Sequence, residues 1–146
     1  MIIRPVRSED KAQWLPLWQG YLAFYKVENL PPEVTETTWA RFLDEAEPMH
    51  ALVAEDGGEL LGLVHYIFHR NTWMVNDVCY LEDLFTAKQA RGKGVGRALI
   101  EAVYARAAAA GGTRVYWLTH ETNITAQALY DKVAEKPGFI QYRKQI

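Results

Sequence analysis

An α/β fold, with a mixed sheet and helices on its faces, is predicted by three features of this 146-residue chain. β-rich segments crowd the stretch from His50 to Thr86, apolar residues at four-residue steps take over from Val95, and a strand, a helix and a strand follow Gly112. No repeat or low-complexity tract interrupts the pattern. The pairs Pro31-Pro32, Gly57-Gly58, Gly111-Gly112 and Pro137-Gly138 read as turns inside one domain over residues 1–146.

Taken in order, Met1 to Val6 reads as a first strand on its β-branched residues. Ser8 then offers an N-cap, with Glu9 and Asp10 in the first turn of a helix. Along that helix Trp14, Leu17, Trp18, Tyr21, Leu22 and Tyr25 recur at three- and four-residue steps, and Pro16 must kink it or delay its start. A second helix is expected over Thr35 to Ala46, carrying Trp39, Phe42 and Leu43. His50–Ala54, Leu60–His69 and Val78–Thr86 form a three-strand meander whose first two strands join at Asp56-Gly57-Gly58. An amphipathic helix runs from Gly94 to Gly111-Gly112 on Val95, Leu99, Val103 and Ala107. Val115–Leu118 is a short buried strand, Ile124–Val133 a helix with Ala128, Leu129 and Val133 facing inward, and Phe139–Tyr142 a closing strand. The order is β α α β β β α β α β.

Composition narrows the function. Hydrophobic residues make up 49% of the chain, enough for one core, and 18 acidic against 16 basic residues leave a net charge of −2. That balance excludes a charged disordered chain and a general nucleic-acid binder. The apolar runs stop short of the roughly 20 residues of a membrane span, and Met1 to Pro5 holds no charged leader before an apolar region. A soluble, cytoplasmic protein is therefore expected. Cys79, the single cysteine, excludes an intrachain disulfide and a Cys-based zinc cluster, so no metal is expected either.

The most informative segment is Arg91-Gly92-Lys93-Gly94-Val95-Gly96-Arg97, between a predicted strand and the start of a predicted helix. Glycines let the backbone turn sharply and present N–H groups to an anion, and the helix N-terminus adds partial positive charge. With Arg91, Lys93 and Arg97 the segment reads as a pyrophosphate cradle. It is not a Walker loop, because Lys93 is followed by Gly94 rather than Ser or Thr. A dinucleotide fingerprint fails as well, since Arg97 stands where the third glycine belongs.

These residues resemble the acetyl-coenzyme A loop of the GCN5-related N-acetyltransferase (GNAT) superfamily, Gln/Arg-x-x-Gly-x-Gly/Ala after the fourth strand, at Arg91, Gly94 and Gly96. Downstream, Asn123, Ala126, Leu129 and Tyr130, followed by Gly138-Phe139, resemble the second family motif, Asn-x-x-Ala-x-x-Leu-Tyr and then Gly-Phe. Tyr80 to Phe85 is similar to the fourth strand of polyamine acetyltransferases, and Leu129 to Ala134 to the histone/polyamine branch. The separation of Tyr130 from Gly138-Phe139 is longer than the common family spacing. The resemblance covers essentially the whole chain and implies a GNAT fold, a central sheet of six to seven strands flanked by about four helices.

It also implies a chemistry. Acetyl-CoA would be the co-substrate, its pantetheine arm along Leu84, Phe85 and Thr86, its pyrophosphate on Arg91, Gly92, Lys93, Gly94, Val95, Gly96 and Arg97, with Asn123, Ala126 and Tyr130 completing the site. Transfer to an amine needs a neutral amine, a stabilised oxyanion and a protonated leaving thiolate. The resemblance makes Tyr130 the proton donor to sulfur and Glu82 the base, directly or through a water. Strand alternation places Glu82 and Asp83 on opposite faces, so only one of them would meet the substrate. His120 is a candidate relay, and Asn123 either touches the coenzyme or holds its helix start. Cys79, with apolar neighbours and no adjacent His, makes direct transfer in a ternary complex the expected route over an acetyl-enzyme.

The acceptor is expected among Tyr21, Tyr25, Glu28, Glu82, Asp83 and His120, where carboxylates beside aromatics suit a cationic amine. The expected acceptors are a polyamine, an amino acid or a lysine side chain, and the branch implies a homodimer. The alternative on the same fold is a non-catalytic acyl-CoA sensor.

Overall fold

The computed structural model describes residues 1–146, and its strands lie side by side in the order in which they occur in the chain. β1 (Ile2–Pro5), β2 (Met49–Asp56), β3 (Glu59–His69) and β4 (Val78–Thr86) pair antiparallel, and β5 (Val115–Tyr116) joins β4 in parallel. Four helices cover the sheet: α1 (Lys11–Phe24), α2 (Pro32–Phe42), α3 (Val95–Ala109) and α4 (Ile124–Val133). The α/β class and the helix count are those expected from the sequence.

The two faces of β3 show how the layers divide. His65 meets Trp14 of α1, whereas a Cβ on Gly62 would meet Val95 and Leu99 of α3 at 3.1 and 3.3 Å. Residues three apart on a strand point to opposite faces, so α1 and α3 pack on opposite sides of the sheet. On one side Trp14 stacks on Trp18 and tilts against Trp39, with centroids 6.0 and 4.7 Å apart. Leu99, Ile100 and Val103 of α3 are fully buried on the other.

Several boundaries differ from the sequence reading, each for a physical reason. Ser8 does not cap α1; Ser8–Asp10 form a 3-10 turn in which the Arg7 N–H donates to Asp10 Oδ2 at 2.7 Å. Pro16 lies inside α1, which runs through it and forgoes one backbone bond. The second helix starts earlier and ends earlier than expected, opening on Pro32, whose fixed φ suits a first helical position. Strand β5 is cut to two residues, and Phe139–Tyr142 forms no strand, so the sheet has five strands and not six to seven. A two-residue β5 offers too short an edge for a further strand to pair along. Pro137 lacks an N–H and Gly138 turns at φ +92, so the chain enters that segment without an extended run.

Asp10 ties the first strand to the first helix. Its two oxygens accept from Arg4 Nη1 and Nη2 at 2.7 and 2.9 Å, while Arg4 Nε donates to Glu55 of β2 at 2.9 Å. The Arg4 hydrogen bonds hold the Asp10 carboxyl below the usual carboxylate range. The side chains are nearly enclosed, 11% and 6% exposed, so removing one partner strands a buried charge. Asp10→Ala is expected to lower stability by about 3 kcal/mol in urea denaturation. Because the folded-state pKa is depressed, the contribution is complete above the unfolded carboxylate value and fades as pH falls through the folded one. The variant should therefore lose stability less steeply than the wild type in acid.

Candidate active site

The site begins at a break in strand pairing. β3 and β4 match His65 with Asp83 and next Tyr66 with Leu81, so Glu82 has no partner across the ladder. Such a bulge interrupts the two-residue alternation. Across that interruption Glu82 is exposed and Asp83 buried. Burial first, and both carboxylates after it, push the hydroxyls of Tyr21 and Tyr80 above the ordinary phenol value, so the two acids act on the same pair of side chains.

On its other side β4 pairs with β5 only at Cys79–Val115 and Tyr80–Tyr116. Beyond Tyr80 that edge of β4 has no neighbouring strand, and its Leu84, Phe85 and Thr86 line a cavity of about 600 Å³. The cavity runs between the 84–86 edge, the end of α1, the 91–97 loop and the first turns of α4. Tyr21, Phe24 and Tyr25 line it because α1 continues the face that carries Trp14 and Trp18, at steps of four, three and four residues.

The loop has the conformation an anion cradle requires. Gly92 and Gly94 sit at φ +76 and +80, and a Cβ on either would meet nothing within 4 Å. The first backbone bond of α3 runs from the Ala98 N–H to the Gly94 carbonyl, so the N–H groups of Val95, Gly96 and Arg97 have no helical acceptor. No side chain caps them. Arg91 lies over the Phe85 ring at 5.7 Å and donates through Nε to the Thr86 carbonyl at 3.3 Å. Its terminal nitrogens make no protein hydrogen bond. Arg97 shares its charge with Glu101 at 2.9 Å.

The expected site residues fall into three groups. Leu84, Phe85 and Thr86, the loop from Arg91 to Arg97 except Lys93, and Asn123, Ala126 and Tyr130 line the one cavity, with Tyr21 and Tyr25. Glu82 and Asp83 lie next along β4 beyond Leu84, Glu82 exposed and Asp83 nearly buried. Glu28, Lys93 and His120 are not in the wall: Glu28 is an exposed loop residue, and His120 bonds Thr122 Oγ1 at 2.7 Å beside a second cavity. Asn123 occupies the N-cap position of α4 without capping it, and its amide donates weakly to Thr119 Oγ1 at 3.4 Å.

Burial sets the ionisation of the reactive candidates. Tyr130 is pushed up to about 12, chiefly by burial and then by Tyr25, so it keeps its proton at neutral pH. Partial desolvation and the neighbouring Asp83 charge raise the Glu82 carboxyl above its ordinary value, in the direction that suits a base. Burial also pushes the Cys79 thiol up to about 12, which leaves it protonated and unsuited to nucleophilic attack. No group of three or more His, Cys, Asp or Glu side chains gathers as a metal site. His65, which joins Asp83 to Trp14, was missed in the sequence; its signal is a lone polar residue between Val64 and Tyr66 in an apolar strand.

A parted sheet edge, a helix start with uncapped N–H groups and a protonated tyrosine line one cavity. The acetyltransferase (GNAT) family model matches residues 14–134, and the chain belongs to that family. It is similar to the D-amino-acid N-acetyltransferase of Saccharomyces cerevisiae, 40% identical over 99% of this chain and 90% of the relative. A thialysine N-epsilon-acetyltransferase of Mus musculus is 27% identical over 97% of this chain and 90% of its own. Among solved structures, a probable acetyltransferase shares the fold at TM-score 0.86 and 23% identity, covering 100% of this chain and 98% of that one. Another is AAC(6')-Iy in complex with the bisubstrate analog CoA-S-monomethyl-acetylneamine, at TM-score 0.83 and 21% identity over 99% and 98% of the two chains. The protein is an N-acetyltransferase that moves an acetyl group to an amine.

The family uses acetyl-CoA, and the residues present fit it. The space beside Gly92 and Gly94 is open, uncapped N–H groups point out of α3, and the Arg91 guanidinium is held at the same end. Gly94→Val would force a branched side chain into a left-handed conformation and fill that space. Calorimetry on the folded variant is expected to show at least a 100-fold loss of acetyl-CoA affinity, on the order of the charge-assisted bonds forfeited.

Proposed function

We propose that this enzyme acetylates a primary amine carried by a cationic acceptor, a polyamine, an amino acid or a lysine side chain, by direct transfer in a ternary complex. The observation that carries this reading is the Glu82–Asp83 pair at the β4 bulge, grouped with Tyr21 and Tyr80 at the Leu84 end of the cavity. Paired carboxylates beside aromatic rings attract an ammonium group and discriminate against anions. The names of the two relatives, a D-amino-acid and a thialysine N-acetyltransferase, support an amino-acid acceptor.

When bound, acetyl-CoA supplies an acetyl thioester open to attack by an amine. Loop 91–97 and the start of α3 hold the phosphates, and the free edge of β4 at Leu84 to Thr86 holds the arm. Glu82 takes a proton from the incoming ammonium, directly or through a water, so that a neutral nitrogen forms the new C–N bond. The Tyr130 hydroxyl donates its hydrogen to the sulfur as the C–S bond breaks, and the second proton shed by the nitrogen as the amide forms returns the phenolate to phenol, directly or through a water. No cysteine intermediate is needed, in keeping with the protonated Cys79. We further propose a cytoplasmic homodimer. The absence of any helix long and apolar enough to cross a membrane and the exposed Phe139, Ile140 and Tyr142 support this.

Release of free coenzyme thiol from acetyl-CoA, measured against D-amino acids, thialysine, spermidine and a lysine peptide, tests the reading. Amine-dependent release is expected; silence with intact acetyl-CoA binding would point to an acyl-CoA sensor. Tyr130→Phe should lower kcat by on the order of 10²-fold with acetyl-CoA affinity unchanged, because only a proton donor is lost. An unchanged kcat would remove Tyr130 from the chemistry. The wild-type kcat/KM should fall as pH drops through a limb above the ordinary Glu value of about 4.3, since a raised carboxyl is basic only above its own pKa. Glu82→Gln should abolish that limb.

A further inference from the structure

Behind the two carboxylates runs a buried chain of hydrogen bonds that the reaction scheme above does not use. The Trp14 indole N–H donates to His65 Nε2 at 3.1 Å, and His65 Nδ1 meets Asp83 Oδ2 at 2.8 Å. An indole nitrogen only donates, so His65 Nε2 must accept. The ring proton then sits on Nδ1 and is donated to Asp83. Trp14 is fully buried and His65 is 3% exposed. The rings of Trp14, Trp18 and Phe42 surround the imidazole, with centroids 5.9, 5.4 and 4.5 Å away. Asp83 is the one carboxylate it meets.

Asp83 itself is faced by Glu82 and Tyr80 of β4, by Tyr21 of α1 and by Tyr25 just past its end, none of them cationic. Its Oδ2 is bonded by His65, the Tyr21 hydroxyl is a hydrogen-bonding neighbour of the same carboxylate, and its side chain keeps 12% exposure. A carboxylate held by neutral donors and with no cation beside it is arranged to receive a cation from outside the chain.

We propose that His65 is a positioning residue for the acceptor: Trp14 fixes its tautomer, and the resulting Nδ1–H holds Asp83 so that its carboxylate receives the acceptor ammonium. The proposal rests on the cationic-amine reading above and assigns Asp83 to holding the amine and Glu82 to deprotonating it. Because His65 acts through Asp83, its loss should appear in acceptor recognition and not in coenzyme binding.

The test compares His65→Leu, His65→Asn and Trp14→Phe in the full chain, using whichever of D-lysine, thialysine or spermidine the wild type acetylates. His65→Leu fills the site without a donor, whereas His65→Asn keeps an amide N–H near the Nδ1 position. His65→Leu should raise the acceptor KM by about 10- to 100-fold, the range of a hydrogen bond to a charged group, with acetyl-CoA affinity unchanged. His65→Asn should recover most of that loss. A wild-type KM in His65→Leu, or equal impairment of Leu and Asn variants, overturns the proposal. A wild type inactive with all three amines would instead defeat the acceptor reading. Nitrogen-15 NMR decides the His65 arrangement independently of activity. The wild-type ring should carry its proton on Nδ1 near neutral pH and lose that preference in Trp14→Phe, and a wild-type ring protonated at Nε2 would overturn the proposal.

Discussion

One extra residue in β4 organises the working end of this protein. Had β3 and β4 stayed in register beyond His65, Glu82 would stand across from a β3 residue. The bulge breaks the alternation where β4 also loses its other neighbour, since β5 pairs only at Cys79 and Tyr80. Two acids and an unpaired backbone edge thus occur within a few residues of each other. A regular strand would have kept Glu82 in the ladder, and an unpaired edge elsewhere would be a liability.

The rest of the fold holds that break in place. α1 packs Trp14, Leu17 and Trp18 on the sheet with the same helical phase that carries Tyr21 and Tyr25 into the cavity, so one amphipathic face builds both core and wall. The buried Arg4–Asp10 pair fixes the entry to α1 against the first two strands. α3 contributes from the other face, where its buried Val95 anchors a helix start whose N–H groups remain free. Tyr104 Oη donates to the Val133 carbonyl at 2.8 Å and so ties α4, with Tyr130, to α3.

Much of this was legible in the sequence because it is local. The Arg91–Arg97 loop needs its glycines at fixed steps, and Gly92 and Gly94 do turn left-handed where the spacing placed them. The four-residue steps of Val95, Leu99, Val103 and Ala107 all became buried α3 positions. What stayed hidden depends on pairing between distant segments. The bulge at Glu82 exists only in the register between β3 and β4, and the His65–Trp14 bond joins residues 51 apart. Phe139 to Tyr142 reads as a strand by composition, yet no strand edge is there to receive it, and Phe139 is 83% exposed. Propensity describes what a segment prefers; whether a partner edge exists is decided elsewhere in the chain.

The central claim is that the parted edge of β4 and the 91–97 loop form one coenzyme site ending at the bulge. Amide chemical shifts of the full chain, followed as coenzyme A is titrated in, test it most directly. The account predicts that the largest changes fall on residues 82–86, 92–97 and 123–130. Changes centred instead on 116–121 and 138–141, around the second cavity, would contradict it.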